Sequence, residues 1–403
     1  MAAEAPAQPS HGGPRLRPWH VRMTGRDPAE AHRASTPLEL LFDLCFVVAV
    51  AQAAGSLHHD LADGQIGHGT LNYLVVFFAI WWPWMNFTWF ASAYDTDDVQ
   101  YRLLTFVQIA GVLVVAAGVP SAFDAQDFTV MVVGYVIMRV ALVAQWLRAA
   151  REDPVGRAVA LRFAVGIALI QLGWVVRLVI GWSEAGYVTF LVLGLLELAV
   201  PAWAERAGRH TPWHGGHIVE RYGLFTIIVL GECVLATSTA TQAAFEAGGK
   251  VGPLLTVATG GLLLVFALWW SYFKHEPDVG HHRTLRSMIT WGYGHYFVFA
   301  AVAALGAGLA VATDTTLDAA DLSPAVAAAT VAIPVVVFLV AVAFLHARGM
   351  PRILTQIAVV SALILGTALV APWIGVPAAV LVMALLVCGL VALNVATIAR
   401  GAA

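Results

Sequence analysis

Residues 323–346 read SPAVAAATVAIPVVVFLVAVAFLH, a stretch with no Asp, Glu, Lys or Arg. About 20 apolar residues at about 1.5 Å each match the ~30 Å hydrocarbon layer of a bilayer. Lipid then selects the helix, because a helix satisfies its own backbone N–H and C=O groups. Eleven further runs of this kind lie near 37–57, 70–91, 102–120, 128–148, 160–181, 187–203, 218–240, 252–273, 289–312, 354–371 and 374–399. The last two are separated only by the turn around Pro372 and Gly375. The whole chain agrees: of 403 residues 60% are hydrophobic and 12% charged, where soluble domains run at about half and a quarter. The expected fold class is an all-α polytopic membrane protein of about twelve transmembrane helices.

Basic residues test that count independently, because short cytoplasmic loops retain Lys and Arg. Arg15, Arg17, Arg22, Arg26 and Arg33 precede the first run. Alternate connections then carry Arg102; Arg148, Arg151 and Arg157; Arg206 and Arg209; Lys274, Arg283 and Arg286; Arg348 and Arg352; and finally Arg400, while the intervening ones hold only Lys250. Both termini are therefore expected in the cytoplasm. Residues 1–36 lack the apolar core of a cleaved signal and are expected to form a disordered or surface-lying basic tail. A formal charge of −3 gives no reason to expect a nucleic-acid partner, and the bilayer is the partner implied. Cys45, Cys233 and Cys388 all fall inside runs without CxxC spacing, so neither a disulfide framework nor a metal site is indicated. No HExxH, nucleophile elbow or nucleotide loop is present, so no catalytic residue or cofactor is assigned and an enzyme is the less favoured class.

The chain also matches itself. Phe78-Ala-Ile-Trp-Trp82 parallels Phe266-Ala-Leu-Trp-Trp270 at an offset of 188, Asp43 meets Glu232 at 189, and Ala117-Gly118 meets Ala307-Gly308 at 190. Two six-helix repeats of the same orientation, 37–210 and 211–403, would place a pseudo-two-fold axis along the membrane normal. Asp43 and Glu232 are then expected to face each other across a central pathway.

Charges inside a bilayer cost about 2.5–3.5 kcal/mol on insertion scales, so they face the protein interior and often mark function. Asp43, Glu232, Arg139, Arg177 and Glu197 lie within the runs. For Arg139, Arg177 and Glu197 static pairing is the expectation. Glu39 precedes Asp43 by one turn on the same face; the two can load a cation or proton, or simply mark an Arg-paired helix start. His217, Glu220 and Arg221 precede the seventh apolar stretch, and Glu232 follows Arg221 by eleven residues, three turns, so both share one face that lines a polar path or anchors the helix at the interface. His295 is a proton carrier or, beside Tyr293 and Tyr296, a hydrogen-bonded packing residue. Asp95, Asp97 and Asp98, followed by Arg102, form an acidic cytoplasmic turn suited to capping and pairing, or to a cation vestibule.

Three stretches carry a family resemblance: TPLELLFDLCFVVAVAQ over 36–52, YDTDD over 94–98 leading to Arg102, and HIVERYGLFTIIVLGE over 217–232, with the region of Gly294-His-Tyr296 alongside. The chain resembles the bacterial low temperature requirement protein A (LtrA) family. That resemblance implies a multispanning protein of the bacterial cytoplasmic (inner) membrane associated with growth in the cold, and carries no catalytic or transport residues across. Leu38 to Phe46 also resembles the first-helix motif of potassium channels built from two six-helix repeats, although Phe42 stands in the place of a serine and the second half reads Leu-Gly-Glu232. The favoured function is a channel or secondary transporter for a small ion or solute, with protons coupled through Asp43 and Glu232. The alternatives are a non-transporting membrane protein or an intramembrane enzyme concerned with lipid state or cold adaptation.

Overall fold

The computed structural model describes residues 18–30, 33–180, 186–208, 210–246, 250–274, 284–347 and 349–401; Arg15, Arg17, Arg209, Arg283 and Arg348 lie outside them. Among the described residues, twelve α-helices, all long and apolar enough to cross a membrane, make up the regular structure apart from one short 3₁₀ turn. They are α1 (Pro37–Ala62), α2 (Ile66–Tyr94), α3 (Val99–Asp124), α4 (Thr129–Glu152), α5 (Arg157–Ile180), α6 (Gly186–Ala204), α7 (Gly215–Glu246), α8 (Val251–Phe273), α9 (Leu285–Thr316), α10 (Pro324–His346), α11 (Pro351–Ile374) and α12 (Val376–Gly401). Contacts of Arg22, Arg26, Arg33 and Arg148 and of the Ser35 backbone bring the starts of α1, α3 and α7 and the ends of α2 and α4 to one end of the bundle, here termed the basic end.

Local sequence explains several helix starts. Thr36 and Glu39 form a reciprocal capping box ahead of Pro37, and Asp98, Thr284 and Ser323 accept from backbone N–H groups at the starts of α3, α9 and α10. Packing places α2 and α9 deepest. In the first half α1 packs on α2 and α3, α3 on α4, α4 on α5 and α5 on α6. In the second half α7 packs on α8 and α9, α9 on α10, α10 on α11 and α11 on α12. Between halves, α9 lies against α1, while α1 and α7 touch more sparingly. Gly118 and Gly308 sit at close crossings: a Cβ on Gly118 would lie 2.7 Å from the Met131 backbone nitrogen of α4, and one on Gly308 would fall on the Thr330 carbonyl oxygen of α10.

The segment before α1, expected to be disordered or surface-lying, lies over its described part on the surface of the bundle. Residues 18–30 and 33–36 strap across the basic end. The Arg26 N–H donates to Ala93 O at 3.0 Å, the Val21 N–H to Asp98 Oδ2 at 2.7 Å and Arg22 Nε to Glu152 O at 2.9 Å, and Met23 is fully buried. Helix ends leave unpaired carbonyls and carry capping carboxylates, and a chain rich in arginine and free backbone amides supplies their partners. Composition registers the charge of such a segment but not those partners.

Candidate functional site

Six ionisable side chains from four parts of the chain meet at the basic end of the α1–α7 contact. Glu39 and Asp43 stand one turn apart on α1, and His217 and Arg221 one turn apart on α7. Asp43 and Arg221 each lie six residues past the first residue of their helix, about 9 Å in. Their contact is bidentate: Arg221 Nε donates to Asp43 Oδ2 at 3.0 Å and Nη2 to Oδ1 at 2.5 Å. Trp84 of α2 adds a third donor, Nε1 to Asp43 Oδ1 at 2.7 Å. Arg221 Nη1 also sits 3.1 Å from Glu39 Oε1, without hydrogen-bond alignment. His217 Nε2 lies 3.1 and 3.3 Å from the two Glu39 oxygens. Glu39, Asp43, His217 and Arg221 are all 0% exposed, so this is a fully desolvated lock between the two helices.

The strap completes it. Arg33 donates to the Ala91 carbonyl at 2.7 Å and to that of Ser92, and its Nη2 is 3.7 Å from Glu39 Oε1 and 3.9 Å from Asp95 Oδ2. Two guanidiniums thus face three carboxylates, with His217 as the sixth group, so electroneutrality calls for one more proton within the cluster. Asp95, just beyond α2, has its carboxyl pushed up to about 6 by burial and then by the Glu39 charge, against the pull of Arg33. Beneath the lock an aromatic layer fills the seam: Trp84 stacks on Phe225 at 4.2 Å between centroids and meets Tyr222 and Phe299 edge-on at 4.9 and 5.6 Å.

Glu232 is not at this site. It lies eleven residues beyond Arg221 on α7, about 16 Å deeper, and so does not face Asp43. It lines instead a cavity of about 250 Å³ between α1, α7 and α9, among Ala51, Gly55, Ala236, Gly306 and Ala310. Among the described residues no hydrogen bond or ion pair reaches its carboxylate. His58 and Asp314 line the same cavity, paired Nε2 to Oδ2 at 2.6 Å. Small side chains on all three helices create this space.

The other expected residues distribute as follows. Glu220 accepts from the Ser35 N–H at 3.2 Å, fastening the strap. His295 is buried in α9, with Nδ1 2.8 Å from the Trp291 carbonyl oxygen and Nε2 2.9 Å from the Tyr272 hydroxyl, outside the cavity. Arg139 and Glu197 come together at 2.8 Å, and Glu197 also accepts from Trp82, Gln171 and Trp174. Arg177 lines a separate cavity of about 90 Å³ with Asp127, Tyr135 and Trp174. The acidic turn splits by role: Asp97 accepts from Arg102 at 2.7 Å, Asp98 caps α3 and pairs with Arg148, and Asp95 joins the lock. Arg33, Trp84, His58 and Asp314 had no place in the expected site. Two i,i+4 pairs of opposite sign near the starts of α1 and α7 were a readable signal for the lock.

Fold and site together define a polytopic helical membrane protein in which a buried ion lock joins the first and seventh helices above a carboxylate-bearing cavity. Over residues 34–394 the chain matches the family described as Bacterial low temperature requirement A protein (LtrA). The chain belongs to that family. It is also 29% identical to an uncharacterized protein of Rhizobium meliloti (strain 1021), over 68% of each chain.

Proposed function

We propose that the protein is a channel or secondary transporter for a small ion or solute, moving it along the α1–α7–α9 seam. One observation carries this: the seam is closed at the basic end by the Asp43–Arg221 lock and opens beyond it into a cavity holding a carboxylate without a partner. Glu232 is half-buried, and an ionised side chain inside a membrane span is costly unless a ligand or proton balances it. Conduction to the basic end requires the lock to part, and the charges that part are Glu39 and Asp43 from His217 and Arg221.

This reading takes the basic end as cytoplasmic, on the distribution of arginines, in the bacterial inner membrane. It also takes 37–210 and 211–403 as two repeats of one orientation. Support comes from the matching sequence of neighbour contacts in α1–α6 and α7–α12 and from Gly118 and Gly308 at equivalent crossings, although α12 packs far more closely on α8 than α6 does on α2. A static role in the membrane is favoured only at Glu197, whose four donors leave its carboxylate fully engaged.

The test is flux in proteoliposomes under separately imposed potassium, sodium and proton gradients and with small neutral solutes. Wild type is expected to conduct above empty vesicles and Glu232→Gln to lose the flux. Absence of flux under every condition overturns the proposal and puts the non-transporting and enzymatic alternatives ahead.

A further inference from the structure

Building on that transport reading, we infer that the cavity binds a small monovalent cation at Glu232, in exchange for a proton. The charge inventory of the lining supports this. Among the described residues, Glu232 and Asp314 are its acids, no Lys or Arg contributes to it, and its one imidazole, His58, is committed to Asp314 at 2.6 Å. The nearest arginine along α7, Arg221, is eleven residues back and held by two carboxylates in the lock. Among the described residues, one carboxylate, that of Glu232, is therefore left without a protein partner.

Other ligand classes fit less well. An anion would meet two acids and, among the described residues, no free cation, and a neutral solute gives the Glu232 proton no charge to exchange for. A divalent ion asks for more anionic oxygen than one free carboxylate provides, since Asp314 is already shared with His58. Neutral oxygens stand about 10 Å further along the cavity, seven residues beyond the level of Glu232 on α7 and α9, where they can hold the waters of a hydrated cation. The Thr239 and Thr313 hydroxyls line the cavity and donate their own protons to the Leu235 and Leu309 carbonyls, both at 3.0 Å, which leaves their lone pairs to accept. About 250 Å³ admits such an ion with several waters.

The exchange balances simply. A proton on the Glu232 carboxyl passes to cavity water as the cation arrives, and returns when the cation leaves. The site is accordingly occupied by one positive charge at a time.

Two measurements on the purified full-length protein test this. The first adds sodium, potassium or methylammonium, at constant ionic strength set with N-methylglucamine, to a weakly buffered sample and records proton release. Wild type is expected to release up to one proton per chain, saturably with at least one cation, and Glu232→Gln to release none. The second needs no variant: labelling of Glu232 by a hydrophobic carbodiimide, read by mass spectrometry, slows about tenfold at a cation concentration about ten times Kd. Wild type without saturable proton release, or a Glu232→Gln variant that releases as much, overturns the inference. Flux of a neutral or anionic solute with no cation effect would retain the transport reading and discard this site. Cation binding without flux under any gradient would do the reverse.

Discussion

Replacing Arg221 by glutamine should be among the most damaging single changes in the protein, and the structure sets its size. The guanidinium bonds Asp43 in bidentate fashion and lies 3.1 Å from Glu39, with all three groups 0% exposed. Opposite charges with centres about 4 Å apart attract by about 4 kcal/mol at an effective dielectric constant of about 20. Removing one partner of a buried pair also leaves the other uncompensated, so a cost of about 3–5 kcal/mol is expected. Asp43→Asn should cost less, about 1–3 kcal/mol, because Arg221 keeps Glu39 and the side-chain amide keeps a hydrogen-bonding role. The double variant should resemble Asp43→Asn alone, giving an interaction energy whose magnitude is the whole Arg221→Gln cost, about 3–5 kcal/mol. The assay is unfolding in mixed micelles of increasing dodecyl sulfate content, followed by far-UV circular dichroism and tryptophan fluorescence. Additive losses in the double variant, or an Arg221→Gln variant as stable as wild type, would refute the claim that this pair holds α1 to α7.

Asp95 sets a pH dependence: burial and the Glu39 charge push its carboxyl up from the ordinary 3.8 to about 6, so the folded protein holds the proton more tightly. The stability it contributes is complete below pH about 4 and is lost as pH rises through about 6, a change of about 3 kcal/mol that Asp95→Asn should flatten in pH-dependent unfolding. At the α9–α10 crossing, Gly308→Ala should cost at least about 2 kcal/mol, because the new methyl group falls on the Thr330 carbonyl. Gly389→Ala, with open space around its Cβ, should be neutral to slightly stabilising in the same assay.

The topology was legible in the residues themselves because lipid imposes one rule on the backbone, and twelve apolar runs obey it. The tenth run, expected over 323–346, is the helix Pro324–His346. Boundaries drifted where polar residues enter a helix: α7 begins at Gly215 rather than near 218 and α9 extends to Thr316 rather than 312, since hydropathy stops at groups whose cost a neighbouring helix offsets. Partners were another matter. A local match at offset 189 aligned Asp43 with Glu232, whereas the contacts that form, Glu39 with His217 and Asp43 with Arg221, both lie 178 positions apart. Pairing of buried charges depends on the depth at which two helices cross, and that depth follows from where each helix starts and how closely small residues let it approach its neighbours. The amino-acid sequence alone determined twelve helices long and apolar enough to cross a bilayer and placed Asp43, Arg139, Arg177, Glu197 and Glu232 within them. Only the tertiary structure decided that Glu39, Asp43, His217 and Arg221 close a lock, that Arg33 and Asp95 belong to it, and that Glu232 stands apart in a cavity of its own.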